Sequence, residues 1–204
     1  MFLKRRRFDY DLIVIGSGAG GSVGAHYARS LGKKVVLFEK GDIGGECPNW
    51  ACVPTKALLH SAEMYETIQN AHTVGVHAKA FIDYDQIRKR KNLVVSRTGA
   101  SHGVSAFESD GIHVVRHKAT FTSPDTVEAG GRTYTADRFL LATGSSVLIP
   151  PIPGLKETGY ITFKQAVDLH KPPESLFIIG GGAVGCEFAQ IFSIFGSKVT
   201  IAAR

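Results

Sequence analysis

Cysteine and tryptophan are scarce in this chain, which holds three cysteines and one tryptophan in 204 residues. So low a cysteine content excludes a small disulfide-stapled scaffold. Long apolar runs are also missing: the longest, DLIVIG (11–16) and SLFIIGGGAVG (175–185), stop well short of the roughly 18 to 20 residues a membrane span needs. No membrane is expected as a partner. The start, MFLKRRRF, lacks the apolar stretch and cleavage site of a secretory leader, and a strand pattern begins at Asp11, which points to the cytoplasm. Acidic residues are outnumbered 18 to 24 by Lys and Arg, for a net charge of +6. Lys4, Arg5, Arg6 and Arg7 concentrate much of that excess in one arm, which reads as a solvated tail rather than a nucleic-acid surface. The positive balance suits anionic, phosphate-bearing ligands.

What is present is ordinary for a globular protein: 44% apolar and 21% charged residues, enough for one large domain or two small ones. YDLIVIGSGAGG reads as a buried strand running into a glycine turn, with Val23, Tyr27, Ala28 and Leu31 on one face of the following helix and Gly32 as its stop. KKVVLFEK (33–40) is a second buried strand, completing a βαβ beginning that implies a parallel sheet. Downstream, the pattern predicts an amphipathic helix to about Asn70 and a basic helix from Tyr84 to about Thr98. An antiparallel meander is expected between His113 and Tyr134, then a buried strand at FLLATG (139–144). Proline-rich breaks at PPIPG (150–154) and KPPES (171–175) bracket a weakly patterned stretch. A second unit then opens with strand SLFIIG, a glycine turn, and a helix placing Phe188, Ile191, Phe192 and Phe195 on one face. Strand KVTIAA (198–203) follows. Two strands and one helix cannot bury both faces of a sheet, so the chain is expected to be part of something longer.

Gly16, Gly18 and Gly21 form a G-x-G-x-x-G set directly after a strand and at the opening of a helix. Such glycines let the backbone turn tightly and approach a pyrophosphate, whose charge the helix N-terminal amides hold. Glu39 ends the second strand 23 residues after Gly16, where a carboxylate can bond ribose hydroxyls. Gly180, Gly182 and Gly185 repeat the context, with Ala183 and Val184 between them. Two fingerprints imply two dinucleotides, and electrons passed from one to the other. The counterpart of Glu39 in the second unit is Ala203, followed by Arg204: no carboxylate there repels a 2′-phosphate, and an arginine attracts one, which favours NADP over NAD.

Cys47 and Cys52 flank Pro48 and the lone Trp50. On a regular helix, residues five apart lie about 140° apart around the axis and roughly 8.7 Å apart between Cα atoms. Disulfides rarely exceed about 7 Å. A bonded pair would therefore need irregular backbone, which Pro48 and Pro54 supply, making regular helix unexpected before about Pro54. A helix N-terminus would also favour a thiolate at Cys52. Two buried structural thiols remain the alternative. A zinc site is disfavoured because no second Cys/His pair has ligand spacing and His60, on the same helix, lacks a partner; no metal is expected. Set between two dinucleotide units, the pair reads as a redox disulfide.

With these features in place, the sequence resembles the class I flavoprotein disulfide reductases, the family of dihydrolipoamide dehydrogenase, glutathione reductase and mercuric reductase. CPNWACVPTK (47–56) is similar to the family's redox signature, with Ala51 in place of its usual glycine, and Ala142, Thr143 and Gly144 match its ATG motif. The resemblance implies a Rossmann-like α/β fold: an FAD-binding domain over residues 1–150 with a parallel sheet and β-meander, then the beginning of an NAD(P)-binding domain over 151–204. It implies FAD at the first fingerprint, with Ala19, Gly20, Lys40, Gly45, Glu46, Cys47 and Lys56 joining the cofactor site, and NAD(P)H at the second. Cys52 is then the flavin-facing thiol, Cys47 the interchange thiol that attacks substrate, Lys56 the lysine beside the flavin, and Glu187 its carboxylate partner. A homodimer and a disulfide-type substrate are implied as well. The family's acid/base histidine has no match among the eight histidines. A mercuric reductase-like enzyme and a non-catalytic nucleotide-binding redox module are the competing readings.

Overall fold

The computed structural model describes residues 8–98 and 103–203. The basic arm at 4–7 and Arg204 lie outside the described residues. In chain order the elements are β1 (Tyr10–Ile15), α1 (Ala19–Ser30), β2 (Val35–Phe38), α2 (Glu46–Asn49), α3 (Cys52–Asn70), a 3-10 turn (Ala71–Val74), α4 (Tyr84–Ser96) and α5 (Gly103–Ser109). They continue with β3 (His113–Val115), β4 (Thr120–Ser123), β5 (Thr126–Ala129), β6 (Arg132–Leu141), α6 (Leu155–Thr158), α7 (Phe163–Ala166), β7 (Ser175–Ile179), α8 (Ala183–Ile194) and β8 (Lys198–Ala202). Two compact units form: Met1–Asn49 with Thr98–Ser146, and Trp50–Arg97 with Val147–Arg204.

The first unit is built on a six-stranded sheet in the order β3-β2-β1-β6-β5-β4. β2 is buried along its whole length, as expected of a parallel strand covered on both faces. Alternation sorts its residues: Val35 and Leu37 join Val14, Ala25 and Phe107 in one core, while Val36 and Phe38 join Ile13, Val127 and Ala136 in another. α1 and α5 thus cover one face, and the β-meander contributes to the other.

Three expectations are corrected here. His113–Val115 pairs parallel to β2 and belongs to the main sheet, not to the meander. The meander's last strand and the expected strand at FLLATG are one continuous β6: its first residues pair antiparallel with β5, and Ala136 onward pairs parallel with β1. A strand has two hydrogen-bonding edges along its length, so one run of residues can serve both neighbours. Of the expected apolar face of α1, Val23, Tyr27 and Leu31 are exposed, at 70%, 66% and 59%, and Ala28 alone packs against the core. The face that packs is made of Gly21, Gly24, Ala25 and Ala28; a Cβ on Gly24 would come within 2.3 Å of the end of the Leu140 side chain on β6, which fills the space the glycine leaves.

The second unit centres on a core of Leu58 and Ala62 from α3, Tyr84 from α4, Ala166 and Val167, and Phe188, Ile191, Phe192 and Phe195 on and just after α8. The predicted i, i+3, i+4, i+7 face of α8 is therefore its buried face. β7 and β8 pair in parallel beside it. Gly196, at φ +95°, turns the chain after α8 in a conformation that only glycine adopts without strain.

α3 begins at Cys52, two residues earlier than the expectation that no regular helix precedes Pro54. Pro54 sits in the first turn, where the missing N–H would have no intrahelical partner in any case, so it costs the helix nothing. The irregular backbone is confined to Trp50 and Ala51, with Ala51 at φ −113° and ψ −102°.

Candidate functional site

In the first unit the site forms where β1, β2 and β6 end. Gly16 takes φ +104°, and its amide still donates to Phe38 O at 2.8 Å, so the chain leaves β1 while bonded to the end of β2. A Cβ on Gly16 would stand 2.2 Å from Ala142 O, and one on Gly21 would stand 1.8 Å from Gly16 O. These two glycines are demanded by the backbone itself. Gly18 is different: it is the N-cap of α1, extended at φ −62° and ψ −176°, and an added Cβ would meet nothing within 4 Å. Space is open in front of the helix, no side chain caps it, and no acidic residue lies in its first turn. Ala19 and Gly20 begin the helix there, and the Ala142 side chain reaches toward Gly20 and Gly21. Thr143 and Gly144, the latter at φ +69°, continue from the end of β6. Gly45, at φ +68°, approaches so closely that its Cβ would lie 2.8 Å from Gly18 Cα.

Glu39 faces this loop. Its Oε2 accepts from Ser17 N and Ser17 Oγ, both at 2.8 Å, and its Oε1 accepts from Gly41 N at 2.7 Å. Burial works against ionisation of the carboxyl, but these bonds and the Lys40 amide outweigh it and hold the pKa below its ordinary value. The Lys40 side chain is exposed. Ser17, fully buried, also accepts from Gly44 N at 3.0 Å, and so ties the glycine loop to the segment leading into α2. That segment is tightened by Asn49, whose Nδ2 donates to Ile43 O at 3.0 Å and Gly45 O at 2.8 Å. α2 carries exposed Glu46 and half-buried Cys47. Sequence reasoning did not single out Ser17, which stands at a variable position of the glycine pattern; its hydroxyl and the facing carboxylate meet only across the sheet.

The second unit repeats the geometry. Gly180 takes φ +110° and donates to Ala202 O at 2.9 Å; a Cβ on Gly185 would stand 2.2 Å from Gly180 O. Gly182 caps α8 in the extended conformation, again with nothing within 4 Å of an added Cβ and no side-chain cap. A cavity of 960 Å³ opens here, lined by Gly182, Ala183, Val184 and Gly185 together with apolar residues of β7 and of 147–163. Ala203, not a carboxylate, occupies the place that Glu39 holds in the first unit.

Cys52 is exposed at the first position of α3. One turn on, Lys56 Nζ donates to Glu187 Oε1 of α8. Glu187 is the more enclosed partner, at 21% side-chain exposure against 62% for Lys56, so it acts as the anchor. Arg90 of α4 adds a bond from Nη1 to Ala57 O at 2.9 Å. The basic run of α4 is largely committed internally: Arg88 pairs with Asp85, Arg90 with that carbonyl, and buried Lys91 with Asp168. Among the described residues no three His, Cys, Asp or Glu side chains gather as a metal site, and no helix is long and apolar enough to cross a membrane.

A parallel sheet ending in a glycine loop, a facing carboxylate and a second loop of the same geometry define a protein built around dinucleotide binding. The family model of the pyridine nucleotide-disulphide oxidoreductases matches residues 10–204, and the chain belongs to that family. Among curated relatives, it is 38% identical over 198 residues to a mercuric reductase of Bacillus cereus, covering 97% of this chain and 31% of that protein. It is 36% identical over 200 residues to a dihydrolipoyl dehydrogenase of Acholeplasma laidlawii, covering 95% of this chain and 59% of that one. Among solved structures it is similar to the Cu(II) complex of the HOCl-induced flavoprotein disulfide reductase RclA from Escherichia coli, with a TM-score of 0.76 and 30% identity over 94% of this chain and 41% of that one. The chain thus spans between about a third and three fifths of the length of these relatives.

Proposed function

We propose that this chain is part of an FAD-dependent oxidoreductase that carries electrons from NAD(P)H to a Cys47–Cys52 disulfide and on to a disulfide-type substrate. The contact that carries this reading is Lys56 with Glu187, which sets the cysteine-bearing helix α3 against the helix opened by the second glycine loop. Residues 1–150 would form the FAD-binding domain and 151–204 the beginning of the NAD(P)-binding domain. The residues present fit both groups: each loop leaves open space at its central glycine, an uncapped helix N-terminus and no acidic side chain in the first helical turn. Gly16, Gly18, Gly21 and Glu39, with Ala142–Gly144, would hold FAD, and Gly180, Gly182 and Gly185 the pyridine nucleotide.

Bound FAD supplies two-electron transfer between a nicotinamide and a disulfide. Cys52, at the N-terminal end of α3, would be the thiol that exchanges electrons with bound FAD, and Cys47 the thiol that attacks substrate. Lys56 would supply a positive charge to the bound flavin, with Glu187 holding its ammonium in position. Overall, NAD(P)H and a proton reduce one disulfide to two thiols. The absence of a carboxylate at Ala203 favours NADPH. The protein acts in the cytoplasm as a homodimer. The similarity to mercuric reductases supports a second reading of the same site, with Hg(II) as the electron acceptor.

The test is made on the full-length protein. It should purify yellow, bleach on anaerobic addition of NADPH, and develop long-wavelength absorbance after two-electron reduction. Cys47→Ser should abolish disulfide reduction while flavin bleaching by NADPH persists. A colourless protein that takes up no FAD, or undiminished turnover by Cys47→Ser, overturns the reading; turnover of Hg(II) but of no disulfide selects the second.

A further inference from the structure

Trp50 stands two residues before Cys52, and the Lys164 ammonium lies 4.5 Å from the centroid of its ring. We propose that Lys164 is a positioning residue for Cys52, acting through Trp50. The inference rests on the reading above only in taking Cys52 as a working thiol.

Lys164 is presented by a segment fixed at three points. At its start, Gln165 Oε1 accepts from Thr162 N at 2.9 Å and from Thr162 Oγ1 at 2.6 Å. Next, Ala166 and Val167 are buried in the core of the unit. Last, Asp168 pairs with Lys91, whose side chain is only 4% exposed. The Lys164 stem also lies near Phe163, with the ammonium 5.9 Å from that ring. A cation held this way over an indole face is attracted by the ring quadrupole, so a rigid segment fixes a half-buried tryptophan.

What Trp50 fixes in turn is the start of α3. Its first backbone bond runs from Thr55 N to Ala51 O at 3.1 Å, and Ala51 carries the irregular torsions between Trp50 and Cys52. With no side chain capping this helix, the placement of the indole joins the Thr55–Ala51 bond in restraining the direction in which the Cys52 peptide leaves the loop. Releasing the indole lets Ala51 and Cys52 fray, which takes the exposed thiol away from the helix N-terminus that favours its thiolate. Lys164 needs no contact with the thiol to exert this effect.

The experiment is a double-mutant cycle on the protein reduced with dithiothreitol, reading the alkylation rate of Cys52 by iodoacetamide with the site resolved by tandem mass spectrometry. Cys186, exposed elsewhere in the same unit, is the internal control. Lys164→Met should lower the Cys52 rate about two- to fivefold, the ratio that corresponds to a cation–π contact at an exposed site. It should also shift the Trp50 emission maximum and leave Cys186 unchanged. Lys164→Arg should restore both signals. In a Trp50→Phe background, Lys164→Met should change the Cys52 rate far less, because the cation has lost the better of its aromatic partners. An unchanged or accelerated Cys52 rate overturns the proposal. So does an equal effect in the Trp50→Phe background, which would mean that Lys164 acts by charge or by general stability. The assay needs neither flavin nor turnover: a protein that binds no FAD but shows the cycle overturns the functional reading alone, and a yellow, active protein without the cycle overturns this inference alone.

Discussion

Glu39 at the end of β2 and Ser17 in the first glycine loop are joined twice, amide and hydroxyl both donating at 2.8 Å to one carboxylate oxygen. The pair couples the carboxylate at the end of β2 to the backbone of the first glycine loop, so neither can move without the other. It also ties that charge to pH. The folded pKa of Glu39 is depressed, because hydrogen bonds to the ionised form outweigh its burial. The stabilisation it contributes is therefore complete above the unfolded value of about 4.3 and is lost as pH falls through the folded pKa. Denaturation of the wild type and of Glu39→Gln should show a stability gap at about pH 7 that narrows well below about pH 4. A gap that stays constant or widens in acid would be inconsistent with this sign.

Gly18 and Gly21 should separate binding from folding. Gly21→Ala drives a methyl to 1.8 Å from a backbone oxygen that cannot move away, and should cost about 1–3 kcal/mol or more. Gly18→Ala meets nothing within 4 Å and keeps an ordinary φ, so the melting temperature should hold while FAD affinity falls. Equal losses of stability in the two variants would show that the open space at Gly18 is filled by protein.

Lys91 is buried and its partner Asp168 is exposed, which makes the two ends of the pair unequal. Asp168→Asn leaves a desolvated ammonium without its counter-ion and should cost about 1–3 kcal/mol. Lys91→Met removes the charge and keeps the stem, and should cost less. Thermal melts decide the order, and a milder effect from Asp168→Asn would contradict it.

Tyr84 carries a buried hydroxyl without a hydrogen-bond partner among the described residues, and burial pushes its pKa up to about 12. Its ring, edge-on to Phe195 with centroids 5.5 Å apart, does the packing. Tyr84→Phe removes only the unsatisfied oxygen and should be neutral or stabilising by up to about 1 kcal/mol. A clear destabilisation in chemical denaturation would mean that the hydroxyl has a partner in solution.

Much of the fold was legible because its signals are local. The uninterrupted apolar run of β2, the glycine turns after β1 and β7, and the 3.6-residue spacing of Phe188, Ile191, Phe192 and Phe195 each follow from the geometry of a single element. The α1 face was misread because Val23, Tyr27 and Leu31 satisfy the same periodicity, while the face that packs is composed of glycine and alanine, whose value lies in the closeness they allow. The start of α3 is not legible from Pro54, because proline interrupts a helix interior but is accommodated in a first turn, where its missing N–H has no intrahelical partner to lose.

The site divides in the same way. The sequence by itself determined which residues can bend sharply, which carry thiols and which carry charge, because those properties belong to single side chains or to short spacings along the chain. Only the tertiary structure decided that Ser17 meets Glu39, that Arg90 grips Ala57, that Lys91 finds Asp168 and that Lys164 covers Trp50. Each of these contacts joins residues distant in sequence, and its existence depends on sheet order and helix packing rather than on any pattern a local window contains.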